Sequence, residues 1–147
     1  MGIRRKSREL VMQTLFYIEK SSYNFDDSLN LFCRNFVPSK KILPFFLKLL
    51  KGIVSVKSEI DIIIERSSSN WKISRMSGVD RNVMRIAVYE MLYCPDIPIN
   101  VTINEAIDIG KKYGAKESGA FINGILDSIR LSLEKGEIKS TRKVDRK

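Results

Sequence analysis

Apolar side chains recur every three to four positions in one segment after another of this 147-residue chain, and strand-like alternation bounded by paired turn signals is missing. Such periodicity suits helices that each bury one stripe, so an all-α fold is expected. The first helix is expected from about Ile3 to Lys20, with Ile3, Ser7, Leu10, Val11, Thr14, Leu15 and Ile18 on its core face. Its opposite face carries Arg5, Glu9, Met12 and Phe16, so two large apolar groups should point outward among charges, as exposed contact residues do. A second helix is expected from Asp26 or Asp27 to about Phe36, ended by Pro38 and Ser39. One long third helix should start near Ser39 or Pro44 and reach about Arg66.

Ser67 to Asn70 is a polar hinge that separates this first bundle from a second. After one helical turn near Trp71 to Ile73, Ser77 and Asp80 have capping-box spacing ahead of a helix from Val79 to Leu92. That helix is apolar around most of its circumference, which marks it as central. Pro95 to Pro98 ends it. Thr102 and Glu105 give a second capping box for a helix closed by Gly114, and a last helix starts near Glu117. The organisation expected is one helical domain over 1–136, with sub-bundles 1–67 and 68–136 and about seven helices. A basic, disordered tail is expected over 137–147.

Charge then narrows the partner. With 26 Lys+Arg against 17 Asp+Glu the net charge is +9, which attracts polyphosphate over a screening length of roughly 8 Å. Arg4, Arg5, Lys6 and Arg8 open the first helix and are expected to meet phosphates, giving affinity that falls steeply with salt. Phe121 and Phe16 are candidate stacking platforms, and Glu117 and Asn123 are placed to hydrogen-bond base edges. Gly124 reads more simply as a close helix contact.

Catalysis has little to stand on. The chain has no histidine, and Cys33 and Cys94 have no metal-ligand spacing; they read as buried thiols of a cytoplasmic protein. Carboxylates can be paired on paper, Glu105 with Asp108 or Asp80 with Glu90, but on helices such groups are ordinarily caps or solvated charges. Gly110, Gly114, Gly119 and Gly124 lack the strand context of a phosphate-binding loop. No enzyme, metal or cofactor is expected. No apolar run is long enough to span a membrane.

Several ordered blocks carry a family resemblance. They are Ile3-Arg4-Arg5-Lys6-Ser7-Arg8-Glu9 with Gln13 to Phe16, Val79-Asp80-Arg81-Asn82 through Glu90, Ile97-Pro98, Ile103-Asn104-Glu105-Ala106, Lys112-Tyr113-Gly114, and Phe121-Ile122-Asn123-Gly124 to Asp127. Together they resemble the bacterial NusB antitermination family over nearly the whole length. The resemblance implies two packed three-helix bundles sharing a core. It also implies binding of the boxA element of ribosomal RNA leader transcripts together with NusE, a small-subunit ribosomal protein, and support of RNA polymerase and other Nus factors in passing terminators. By position, Arg4, Arg5, Lys6 and Arg8 match the family's RNA-binding motif, Glu117 and Phe121 match its RNA surface, and Phe16 and Asp80 match positions presented to NusE. Phe16 stands where the family often has tyrosine, and Ser118 to Ala120 is smaller than usual. Two alternatives stay open: a relative of the leading domain of ribosomal RNA cytosine methyltransferases, and a purely protein-binding scaffold.

Overall fold

The computed structural model describes residues 2–21, 24–35 and 39–140, and at Phe25, Phe32, Cys33 and Asn35 the backbone alone. Seven α-helices are present among them: α1 Ile3–Lys20, α2 Phe25–Asn35, α3 Leu43–Ser55, α4 Lys57–Ser67, α5 Gly78–Tyr93, α6 Ile99–Tyr113 and α7 Ser118–Glu134. A single 3-10 turn lies at Ile73–Arg75, and no strand occurs among the described residues. No described helix is long and apolar enough to cross a membrane. The second-helix boundary at Pro38 and the tail from 141 onward lie outside the described residues.

Helix α5 is the axis. Val83, Met84, Ile86, Ala87, Val88, Met91 and Leu92 are all buried, and α5 packs against α1, α3, α4, α6 and α7. Each fully buried side chain of this size contributes roughly 1.5–3 kcal/mol. Helices α5, α6 and α7 pack on one another, while α1 takes α2 and α3. Helix α4 touches α3 but also reaches α5 and α7.

Four expectations need correction. The long third helix is two, broken at Val56, whose backbone leaves the helical region at φ −125° and ψ 23°. The Ser55 hydroxyl donates to the Gly52 carbonyl at 2.7 Å, and the Val56 N–H turns to Ile53 instead. A side chain has thus taken the acceptor that the next helical turn needed. Helix α6 begins three residues before Thr102, so that residue is no cap. Its buried hydroxyl donates to Glu90 Oε1 at 2.8 Å.

The α1 face assigned to solvent is the third correction. Glu9 and Met12 are buried and Phe16 is half-buried, while Ile3, assigned to the core, is exposed. The fourth is the start of the tail. Gly136 at φ +75° ends α7 in a Schellman motif, with Glu137 N–H donating to Ser132 O at 2.9 Å. The chain then returns Ile138 to the core.

A buried ion pair sits where α1, α5 and α6 meet. The Arg8 guanidinium donates to both Glu90 oxygens at 2.6 and 2.9 Å and to Glu105 at 3.0 Å. The Arg8 and Glu90 side chains are 4% and 1% exposed. Removing one member strands a buried charge, whereas replacing both by apolar groups does not. Arg8→Ala is expected to cost about 3–5 kcal/mol in chemical denaturation, and the double change Arg8→Met with Glu90→Leu to recover most of it. Equal losses in both variants would contradict this account of the pair.

Candidate functional site

The basic start of α1 is a zipper before it is anything else. Arg5 forks onto Glu105 with two bonds of 2.6 Å and adds Asp108 at 2.9 Å. Buried Glu9 receives Lys112 Nζ at 3.2 Å and the Tyr113 hydroxyl at 3.1 Å. Residues 5, 8 and 9 of α1 therefore meet 105, 108 and 112 of α6, both sets spaced to share a helix face. The hydrogen bond that Arg5 donates to Glu105 raises the Arg5 pKa far above its usual value despite partial burial. The same bond from Arg5, with help from Arg8, holds the Glu105 carboxyl below the ordinary range. Farther out, Arg4 reaches Asp96 at 3.1 Å and holds that carboxyl low as well.

These contacts redistribute the roles of the four cations. Arg8 is enclosed and saturated by carboxylates, so the expectation that it meets a phosphate is corrected to an internal one. Arg5 is half-buried with its charge matched. Arg4 and Lys6 remain exposed.

The other end of α1 meets the start of α5. The Phe16 ring lies against Gly78 so closely that a Cβ there would overlap it. Lys20 Nζ sits 5.3 Å from the same ring's centre. One turn on, Glu19 binds Arg81 at 2.9 Å and Arg85 at 2.6 Å, and Arg85 is tied in turn to Asp61 at 2.8 Å. Burial pushes the Glu19 carboxyl up, but the bonds from Arg81 and Arg85 outweigh it and leave it lowered.

Phe16 and the Asp80 turn thus share one corner. Ser77 Oγ accepts from the Asp80 N–H at 3.1 Å, so the cap forms. Its expected reciprocal half does not: Asp80 Oδ1 is buried without a hydrogen-bond partner among the described residues. Aspartate is one methylene shorter than the glutamate that normally reaches back.

A second patch forms where α6 turns into α7. Gly114 allows the tight joint, since a Cβ there would collide with Ser118 Oγ and crowd the Gly110 carbonyl. Ser118 Oγ accepts from the Ala115 N–H at 2.9 Å and fixes the turn before Glu117, which is exposed. Half-buried Phe121 packs edge-on against Trp71, with ring centres 5.6 Å apart, and Trp71 is 52% exposed. Sequence reasoning used Trp71 only as part of a helical turn. Its signal was an indole in a polar stretch with no apolar neighbours at helical spacing.

Asn123 is exposed but stands about 200° around α7 from Phe121. It belongs to the opposite flank of that helix. A Cβ added at Gly124 would meet no atom within 4 Å, so the expected close packing is absent there. Gly110 against Ile122 supplies it instead. Phe121 and the basic start lie on helices that α6 separates, with Lys111 over Gly119 on one side and Lys112 on Glu9 on the other. The basic start of α1 and the Trp71–Phe121 pair are set on either side of α6. They form two patches linked across the end of α6.

Comparison with known proteins identifies the family and the fold. The profile of the NusB family matches residues 5–130. A transcription antitermination protein NusB of Desulfatibacillum aliphaticivorans is 58% identical over 137 residues, covering 93% of this chain and 96% of that protein. The crystal structure of T. maritima NusB is 40% identical, with a TM-score of 0.77 over 92% of this chain and 97% of that one. A structure of antitermination factors NusB and NusE in complex with dsRNA is 25% identical, with a TM-score of 0.77 over 90% and 98%.

The lowered carboxyls set the response to acid. Glu105, Asp96 and Glu19 have folded pKa values below their ordinary 4.5, 3.8 and 4.5. Their stabilisation is complete above those ordinary values and is lost as pH falls through the lower folded ones. With no histidine in the chain, urea denaturation should show stability nearly flat between about pH 6 and 8 and falling below about pH 4.5. Glu105→Gln is expected to lessen that fall; an unchanged acid profile would count against the zipper.

Proposed function

The chain belongs to the NusB family of non-enzymatic, RNA-binding transcription antitermination factors, and from that footing we propose that it holds boxA-type single-stranded RNA of ribosomal RNA leader transcripts together with NusE. In this reading it works in the cytoplasm as an adaptor on the elongation complex, with RNA polymerase and other Nus factors, and supports read-through of terminators. The observation that carries the reading is the half-exposed Trp71–Phe121 pair at the α6–α7 joint. Unpaired bases stack on such rings, and a duplex offers few faces to them.

Around that pair the roles divide. Glu117 accepts from base amino groups, and Arg4 and Lys6, with Arg5 at the edge of its zipper, hold phosphates. Arg8 acts through the placement of α1. Asn123, on the far flank of α7, is left for a strand that passes over the helix. Phe16 and Asp80 present the partner corner, where a half-buried ring is braced on Gly78 at the start of the helix that carries Asp80. The relative solved with NusE and dsRNA supports RNA and NusE as the partner classes.

Fluorescence anisotropy with a labelled boxA-type strand, a scrambled strand and the boxA duplex tests this. The boxA single strand should bind tightest, NusE should tighten it further, and RNA should tighten NusE by the same factor. Phe121→Ala should weaken RNA by about 1–3 kcal/mol while leaving NusE affinity unchanged, and RNA should quench the emission of Trp71, the chain's single tryptophan. Equal affinity for the scrambled strand, or no reciprocal effect of NusE, would overturn the proposal.

A further inference from the structure

The ion pairs of α1 leave the molecule's surplus charge elsewhere. Residues 28–58 contain six basic side chains, Arg34, Lys40, Lys41, Lys48, Lys51 and Lys57, and not one acid, so this stretch holds +6 of the net +9. Lys57 pairs with Asp61 at 3.5 Å. Lys40, Lys41, Lys48 and Lys51 are exposed, and none of them forms a salt bridge among the described residues. Pro44, Lys48, Lys51 and Ser55 follow one another at three- and four-residue spacing on the outer stripe of α3, opposite buried Phe46, Leu49, Leu50 and Ile53. Lys40 and Lys41 stand just ahead of the helix, where its dipole disfavours cations and where acids would normally sit. A local rule broken repeatedly in one sense indicates that something outside the chain offsets it.

This stripe is continuous with the start of α1. The Arg4 guanidinium lies 5.0 Å from the centre of the Phe45 ring, and the Ser7 hydroxyl donates to the Ile42 carbonyl at 3.3 Å. Arg4 and, more weakly, Lys48 both act on the Asp96 carboxyl. We propose that the outer face of α3, running from Arg4 through Lys41, Lys48 and Lys51, is a second nucleic-acid surface that holds the phosphodiester backbone of RNA flanking the recognised element. The inference rests on the RNA-binding reading above and extends it to sequence-independent contact. Lysines meet phosphate as point charges without forked geometry, and the exposed positions of the stripe carry no aromatic ring to read a base. An acidic protein fits less well, since the stripe offers lysine, proline and serine and no large apolar anchor. Helix α3 has 13 residues and is about 20 Å long, enough for several phosphates.

The test compares wild type with the triple variant Lys41→Gln, Lys48→Gln, Lys51→Gln, all at exposed positions. Two RNAs serve as probes: a boxA-type core of about 12 nucleotides and the same core with about 10 arbitrary nucleotides on each side. Wild type should bind the extended RNA more tightly and with a steeper salt dependence. The variant should bind the core as wild type does and lose the gain from the flanks, its log–log salt slope on the extended RNA falling by about 2 for three lost contacts. An equal flank gain in both proteins overturns the inference, and so does an unchanged flank gain accompanied by lost NusE binding, which would make α3 a protein surface. Failure of the earlier reading looks different, as a scrambled core bound as well as boxA, and the lysine dependence of the flank gain is measured either way.

Discussion

The enclosed Arg8–Glu90 pair is the constraint on which the remaining architecture depends. A guanidinium and a carboxylate removed from water are tolerable only while their bonds are complete, and the Glu105 oxygen and the Thr102 hydroxyl supply what the pair alone lacks. Three helices are thereby fixed in one rotational setting, because a slip of any of them would open a bond inside the core. Five residues earlier on α5 the Arg85 cluster does the same for α1 and α4 through Glu19 and Asp61. The two clusters bracket an apolar stretch that by itself would accept several packings. This is how polar groups give a core of interchangeable Ile, Leu and Met a single register.

Charge in this chain is therefore of two kinds. Four arginines, Arg5, Arg8, Arg81 and Arg85, are internal fasteners, each hydrogen-bonded to at least one carboxylate, and their forked geometry suits that work. Lysines supply much of the outward field, and on α3 they do so with no acid of the same segment to damp it. A net charge counted from composition cannot separate these populations. It overstated the field at the start of α1 and said nothing of α3.

What was legible in the sequence follows from the same division. The all-helical class, the central place of α5, the Ser77 cap and the polar turn near residue 68 all rest on local periodicity and turn chemistry, which one sequence displays. Ser69 and Asn70 adopt left-handed backbone there, at φ 56° and 66°. The division at Val56 was hidden because Ser55 competes for a carbonyl, which apolar periodicity does not register. The burial of Glu9 and Met12 was hidden because α1 packs on two sides, against α3 and against α5 with α6, and a one-stripe wheel allows for only one. Arg8 was misjudged because its partners lie 82 and 97 positions away in the chain, although the matching spacings on α1 and α6 were visible to anyone comparing the two. The family resemblance placed Phe121 at the site, but not the indole beside it.

The break at Val56 has an architectural outcome. A straight third helix would leave the segments before and after the polar turn joined along α5 and through the α1–α6 ion pairs. Bent, it lays α3 beside α1 and sends α4 across to α7, so the leading segment grips the trailing one from two directions. Neither piece keeps a sealed interior if the other is taken away. A molecule interlocked in this manner is expected to melt as one body, so the proposed nucleic-acid faces and the proposed partner corner would be lost together.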